Sequence, residues 1–186
     1  ILFSKEILRS GYKLTFGSHP TFQELFYEVA REVDPMYFKN DINMYISNYF
    51  LKDDKEKEKE YRKKYTLFIT SKKCDRDLSL TEMRRKMIQR SDVKALVCLG
   101  GKVKPNKKDE GVREEIALAR EYNIPVFIVG SVGGCSSVIA SEYKNTNWND
   151  LNEAGEELNE EFLGGISYFS MAKKMIMYLK KDNERV

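Results

Sequence analysis

The stretch Val93-Lys94-Ala95-Leu96-Val97-Cys98-Leu99-Gly100-Gly101, a lysine-rich loop, and then Gly111-Val112-Arg113-Glu114-Glu115-Ile116-Ala117-Leu118-Ala119 decides the fold. It reads as a buried strand, two glycines, a charged loop and a helix. The near-continuous apolar run suits a central parallel strand covered on both faces. Two glycines at its end let backbone approach a phosphate, and the helix restarts at Gly111 with acids in its first turn. α/β folds build nucleotide pockets this way: the helix N-terminus attracts an anion and a nearby carboxylate grips ribose hydroxyls.

The pattern repeats outward from this point. Ile124-Pro125-Val126-Phe127-Ile128-Val129 reads as a second buried strand, with Pro125 at its start where a missing N–H is tolerated. Gly130-Ser131-Val132-Gly133-Gly134-Cys135-Ser136-Ser137 then leads into a helix ending near Tyr143. Upstream, residues 2–10 look helical with Gly11 as the stop, and residues 12–16 read as a strand. Thr21 with Glu24 forms a T-x-x-E capping box for a helix running to about Val33, its stripe carried by Phe22, Leu25, Phe26, Val29 and Ala30.

Residues 42–46 and 65–70 are further short strands, and the mixed-charge run 52–64 is a solvated helix face or loop. Ser79 with Glu82 forms a second capping box for a helix over 80–90. Residues 145–160 are polar, and Phe169, Ala172, Ile176 and Leu179 mark a last amphipathic helix. Alternating strands and helices predict a doubly wound, mostly parallel α/β sheet in one domain over 1–186. The chain opens on a helix at Ile1 without methionine, so it reads as a piece of a longer protein whose first strand lies upstream.

Composition narrows the function classes. With 41% hydrophobic and 33% charged residues among 186, the chain reads as soluble and globular, and no apolar run nears the ~20 residues that span a bilayer. A net charge of +3 with signs interleaved gives no electrostatic footprint for nucleic acid. Three cysteines, Cys74, Cys98 and Cys135, with no CxxC pair fit a reduced cytoplasmic setting. One histidine, His19, leaves no set for a histidine-built zinc site.

Three loops fall at the carboxyl edge of the strands, where ligands bind in open α/β sheets. They are Gly17-Ser18-His19-Pro20-Thr21, Gly100-Gly101 with Gly111, and Gly130 to Ser137, each offering small residues and free backbone amides. Any one alone is explained by turn geometry; the recurrence on one edge favours a ligand. No Walker motif and no G-x-G-x-x-G spacing is present, so an ordinary dinucleotide oxidoreductase is unsupported. His19 either donates to a phosphate or caps its turn. Glu115 either binds a ribose diol or favours the helix dipole, while its neighbour Glu114 reads as solvated. Arg84 and Arg85 are a surface pair, unless one turns inward to a phosphate. Cys135 near a helix N-terminus is a candidate for a lowered pKa, without a partner base in sight.

These residues resemble a known family. Lys13-Leu14-Thr15-Phe16-Gly17-Ser18-His19-Pro20-Thr21-Phe22 resembles the strand-GGHPT segment of SLOG-type domains, and Met83-Arg84-Arg85-Lys86-Met87-Ile88 its MR..MI helix. Leu99-Gly100-Gly101 with Gly111-Val112-Arg113-Glu114-Glu115 is similar to the GG…GVxEE block, and Ile128 to Gly134 to the strand-G-x-T-G-G turn. The likeness spans about residues 2–143 and is greatest to the subfamily that accompanies sirtuin-like and TIR domains (STALD), as in Thoeris antiphage effectors. A more distant likeness is to the Lonely Guy phosphoribohydrolases.

The resemblance implies a Rossmann-like sensor, without catalysis of its own, for an NAD-derived nucleotide, a cyclic ADP-ribose isomer. It implies no cofactor beyond that ligand. The partner would be an NAD-depleting sirtuin-like or TIR effector in the same chain or complex, within a homo-oligomer, with no nucleic acid and no membrane. Carried over, Gly17, Ser18, His19, Gly100, Gly101 and Gly133 line the phosphates, Arg84 pairs with one, and Glu115 holds ribose hydroxyls; Gly111, Ser131 and Gly134 complete the set. The sequence departs from the pattern in three places. Ser18 replaces the second glycine, Val132 stands where threonine is common, and the Lys102–Glu110 insertion breaks the compact turn of the Lonely Guy enzymes. The remaining readings are a Lonely Guy-like N-glycosidase and a non-binding interaction module.

Overall fold

In a computed structural model, residues 1–106, 110–144 and 148–183 are described. They fall into two compact units, Ile1–Met87 and Ile88–Val186, and both are mixed α/β with parallel strands flanked by helices, in keeping with a Rossmann-like fold.

The first unit holds β1 (Leu14–Gly17), β2 (Ile42–Ser47) and β3 (Thr66–Thr70), parallel and in the order β1-β2-β3. Phe16 sits opposite Met44, and Met44 opposite Leu67. All of β2 is buried, as a strand covered on both faces should be. Helices α1 (Leu2–Arg9) and α2 (Pro20–Val33) supply Leu8, Phe26, Val29 and Ala30 to the core beside Phe16, Ile42 and Ile46. Phe16 meets Phe26 edge-on at 5.0 Å and Tyr65 at 5.9 Å. Each such large apolar side chain contributes about 1.5–3 kcal/mol by leaving water.

The run 52–64 forms α4 (Lys55–Lys64), after the single turn α3 (Asn48–Leu51). Asp54 caps α4 by accepting from Lys57 N at 2.9 Å. Glu56 and Glu58 sit in its first turn and Arg62, Lys63 and Lys64 in its last, matching the helix dipole, and no residue of α4 is buried. It is the solvated helix that the charge pattern suggests.

Neither capping box forms. Helix α2 starts one residue before Thr21, with Pro20 in its first turn and His19 as the cap. Proline's fixed φ suits that position, and the imidazole takes the role assigned to Thr21. Helix α5 (Arg76–Ile88) likewise starts before Ser79: Asp75 accepts from Leu78 N at 2.8 Å. Ser79 is buried within the helix, where its hydroxyl donates to Asp75 O at 2.6 Å and accepts from Lys73 N at 3.0 Å.

The second unit holds the parallel pair β4 (Leu96–Leu99) and β5 (Val126–Val129). The stretch from Val93 is shorter as a strand than its apolar run suggests. Only Cys98 of β4 is fully buried, whereas β5 is buried throughout, so β5 is the strand covered on both faces. Pro125 precedes β5, and its carbonyl accepts from Leu96 N at 2.8 Å. Helix α6 (Gly111–Glu121) joins the two strands, and α7 (Gly134–Tyr143) follows β5.

The region read only as polar contains a helix, α8 (Glu156–Gly164). Three buried residues, Leu158, Asn159 and Phe162, anchor it, too few to mark an apolar stripe. Phe162 lies 5.0 Å from Phe127. Asn152 Nδ2 donates to Val126 O at 2.6 Å and to Asn159 Oδ1 at 2.9 Å, and Leu151 O accepts from Val126 N at 2.8 Å. Helix α9 (Tyr168–Asn183) buries Met171, Ala172, Met175, Ile176 and Leu179, while Phe169, expected on that stripe, is exposed. No helix among the described residues is long and apolar enough to cross a membrane.

Candidate functional site

In the second unit, the glycine turns after β4 and β5 are locked together. Gly100, Gly101, Gly133 and Gly134 all adopt positive φ, between 61° and 88°, where a side chain is strained. A Cβ on Gly134 would lie 2.5 Å from Gly101 O, and one on Gly101 would lie 2.5 Å from Val112 Cγ2. Those two glycines serve close packing. A Cβ on Gly100 or Gly133 would meet nothing within 4 Å, so backbone there borders open space.

The amides at the start of α7 are not free, contrary to the sequence reading. Cys135 N donates to Gly101 O at 3.0 Å and Ser136 N to Gly100 O at 2.8 Å. The Ser136 hydroxyl accepts from Gly100 N at 2.8 Å and lies 2.9 Å from Val129 O. These orphan donors of a helix N-terminus are thus satisfied by the carbonyls of the neighbouring turn. The serine stitches both turns to the end of β5.

Beneath the turns sits a charged group that sequence reading did not single out. Glu110, 2% exposed, precedes α6. Its carboxylate accepts from Lys104 N at 3.0 Å, Arg113 Nε at 2.7 Å and Cys135 Sγ at 3.2 Å. Arg113 also donates two bonds to Glu142 of α7, at 2.8 and 2.9 Å, a bidentate pair. The Lys104 amide, Arg113 and Cys135 hold the Glu110 carboxyl below its usual range. Hydrogen bonding to Glu142 and Glu110 raises the pKa of Arg113 further. The Cys135 thiol is pushed up to about 11, by burial first and by Glu110 second. That corrects the reading of a lowered thiol pKa at this helix N-terminus: burial, and after it the neighbouring carboxylate, push the thiol the other way. The i, i+3 spacing of Glu110 and Arg113 was the one sequence signal for this cluster.

The other second-unit candidates take distinct places. Gly111 opens α6, and Glu115 lies one turn in, half-buried. Its charge adds to burial in raising the Cys98 thiol well above its usual range, so Glu115 acts on the β4 side of α6. Glu114, read as solvated, is also half-buried. Ser131 is exposed, its hydroxyl 3.3 Å from that of Tyr168 at the start of α9.

Gly17, Ser18, His19 and Arg84 belong to the first unit. Ser18 N donates to Tyr45 O at 2.9 Å, and His19 Nδ1 accepts from Thr21 N at 3.3 Å, so His19 caps its turn. A Cβ on Gly17 would meet Met83 Cε at 3.1 Å. Arg84 and Arg85 are both half-buried on α5, with the Arg84 Nε enclosed. Within the second unit, Gly100, Gly101, Gly133 and Gly134 are thus brought together. Among the described residues, no group of three or more His, Cys, Asp or Glu is placed to hold a metal ion.

The pattern described as SLOG cluster2 matches residues 38–181. The chain belongs to this SLOG family. The SLOG match runs through α8 and α9, beyond the 2–143 span of the sequence resemblance, and omits the Lys13–Phe22 segment. SLOG membership makes this a domain of the nucleotide-related ligand-binding or ligand-modifying kind. No curated protein matches the chain.

Proposed function

We propose that this SLOG domain is a sensor of the STALD type. It receives an NAD-derived nucleotide, a cyclic ADP-ribose isomer, and regulates an attached NAD-depleting sirtuin-like or TIR effector in antiphage defence. The observation that carries this reading is the interlocked glycine edge: Gly101 and Gly134 pack backbone to backbone while Gly100 and Gly133 border open space at the strand ends. Glycine there leaves room for a phosphate, and Glu115 on the adjoining helix is the candidate for the ribose hydroxyls. A binding role is favoured over thiol catalysis, because Cys135 is buried and held protonated by Glu110.

The switch would work by differential affinity. A ligand that prefers one arrangement of the homo-oligomer stabilises that arrangement and no more. Calorimetric titration with cyclic ADP-ribose isomers, ADP-ribose, NAD and AMP tests the proposal. Tight binding of one cyclic isomer is the expected result. Release of free base from a nucleoside monophosphate would instead establish the Lonely Guy-like activity, and silence across the panel would overturn the sensor reading.

A further inference from the structure

The second unit carries a cavity at the end of β5 opposite its glycine turn, and none of the residues assigned to the glycine edge lines it. Its volume is about 440 Å³, within the range of roughly 300–1,000 Å³ usual for small-molecule sites. Three parts of the chain wall it. The turn between α6 and β5 supplies Arg120 and Asn123, the segment before α8 supplies Asp150 and Glu153, and α9 supplies Tyr178.

These walls are held by their own bonds, so the cavity is formed in advance. Asn123 turns the chain at φ +54°, and Ile124 N closes that turn by donating to Ala119 O at 2.8 Å. The facing segment is tied to β5 and to a buried tryptophan: Leu151 O accepts from Val126 N at 2.8 Å, and Asn152 N donates to Trp148 O at 3.1 Å. Glu153 N donates to the Tyr178 hydroxyl at 3.4 Å, which joins that segment to α9.

The lining holds three charged side chains, the guanidinium of Arg120 and the carboxylates of Asp150 and Glu153, and all three residues are exposed. Opposite signs share the cavity, yet among the described residues none of the three is ion-paired. Elsewhere on this unit such neighbours close on one another, as Lys174 does with Glu161 at 2.6 Å. A small molecule that meets all three groups needs one anionic and two cationic ends. We infer that the cavity binds a free basic α-amino acid, its α-carboxylate on Arg120 and its two cationic groups on Asp150 and Glu153. A guanidinium accepts a carboxylate in a two-bond fork, and each ammonium brings three donors to a carboxylate. The excess of carboxylates repels phosphate, so this is not a second nucleotide site.

The test is calorimetric titration of the full chain with L-lysine and L-arginine, beside norleucine, which lacks the side-chain ammonium, and cadaverine, which lacks the carboxylate. Saturable binding of L-lysine or L-arginine is expected, with both analogues at least tenfold weaker. Arg120→Gln and Asp150→Asn alter exposed positions, so each is expected to keep the parent Tm and to bind the amino acid about tenfold more weakly, the loss of one charged hydrogen bond. Amide NMR shifts should fall in residues 120–126 and 149–153. No saturable binding of either amino acid, equal binding of norleucine or cadaverine, unchanged affinity in both variants, or shifts confined to residues 100–101 and 130–136 each overturns the site. The inference does not rest on the nucleotide reading, and cyclic ADP-ribose binding at the glycine edge stands or falls separately.

Discussion

The thiol of Cys135 donates to the carboxylate of Glu110 across 3.2 Å. This contact ties the start of α7 to the residue before α6, and the same carboxylate holds the loop after β4 through the Lys104 amide. Glu110 is therefore the point where three segments of the second unit meet. Glu110→Gln is expected to lower Tm, measured by circular dichroism. The Glu110 pKa is depressed in the folded protein, so its stabilisation is fully present above about pH 4.5 and is lost as pH falls through the folded value. The variant should accordingly show a shallower loss of stability on acidification than the parent.

The two kinds of glycine should respond differently to alanine. Gly134→Ala places a Cβ 2.5 Å from a backbone oxygen and at positive φ, so a loss of about 2–4 kcal/mol is expected in urea denaturation. Gly100→Ala meets open space and carries only the conformational cost, about 1–2 kcal/mol. If the edge receives a phosphate, Gly100→Ala should nonetheless abolish ligand binding.

Thiol chemistry separates the three cysteines. Cys74 is exposed, whereas Cys98 and Cys135 are buried with raised pKa values. At pH 8 a thiol reagent should modify one cysteine per native chain rapidly and all three only after denaturation. Rapid native labelling of Cys135, mapped by mass spectrometry, would contradict the Glu110 contact.

Glu115→Gln removes a half-buried carboxylate without altering its size. A charged hydrogen bond contributes about 1.5–3 kcal/mol, so affinity for the cyclic nucleotide should fall roughly ten- to hundredfold with little change in Tm. The thiol of Cys98 should also titrate at lower pH, because the Glu115 charge adds to burial in holding it up.

The strands and most helices were legible because each buried strand is a short apolar run between turn residues. Val126–Val129 is the clearest case. Helix starts were misread because a T-x-x-E or S-x-x-E pattern does not reveal a competing cap upstream: His19 and Asp75 took those roles. Helix α8 was hidden because it is anchored by Asn159 as much as by Leu158 and Phe162, and a buried asparagine looks polar in sequence. The glycine pairs are plain in the sequence, but the bonding of the amides around them is not. Only the folded chain reveals that Gly100 and Gly101 carbonyls accept from Ser136 and Cys135. Glu110 escaped notice because a single acid at the end of a lysine-rich loop looks solvated until the fold encloses it.

The asparagine pair beside β5 has a consequence for self-association. The N–H and C=O of Val126 are already engaged, by Leu151 O and by Asn152 Nδ2. An incoming strand from another copy finds no vacant rung at that position, and extending the sheet there would require the Asn152–Asn159 clasp to break first. The clasp thus works as a stopper on that side of β5, keeping a foreign strand from docking at Val126.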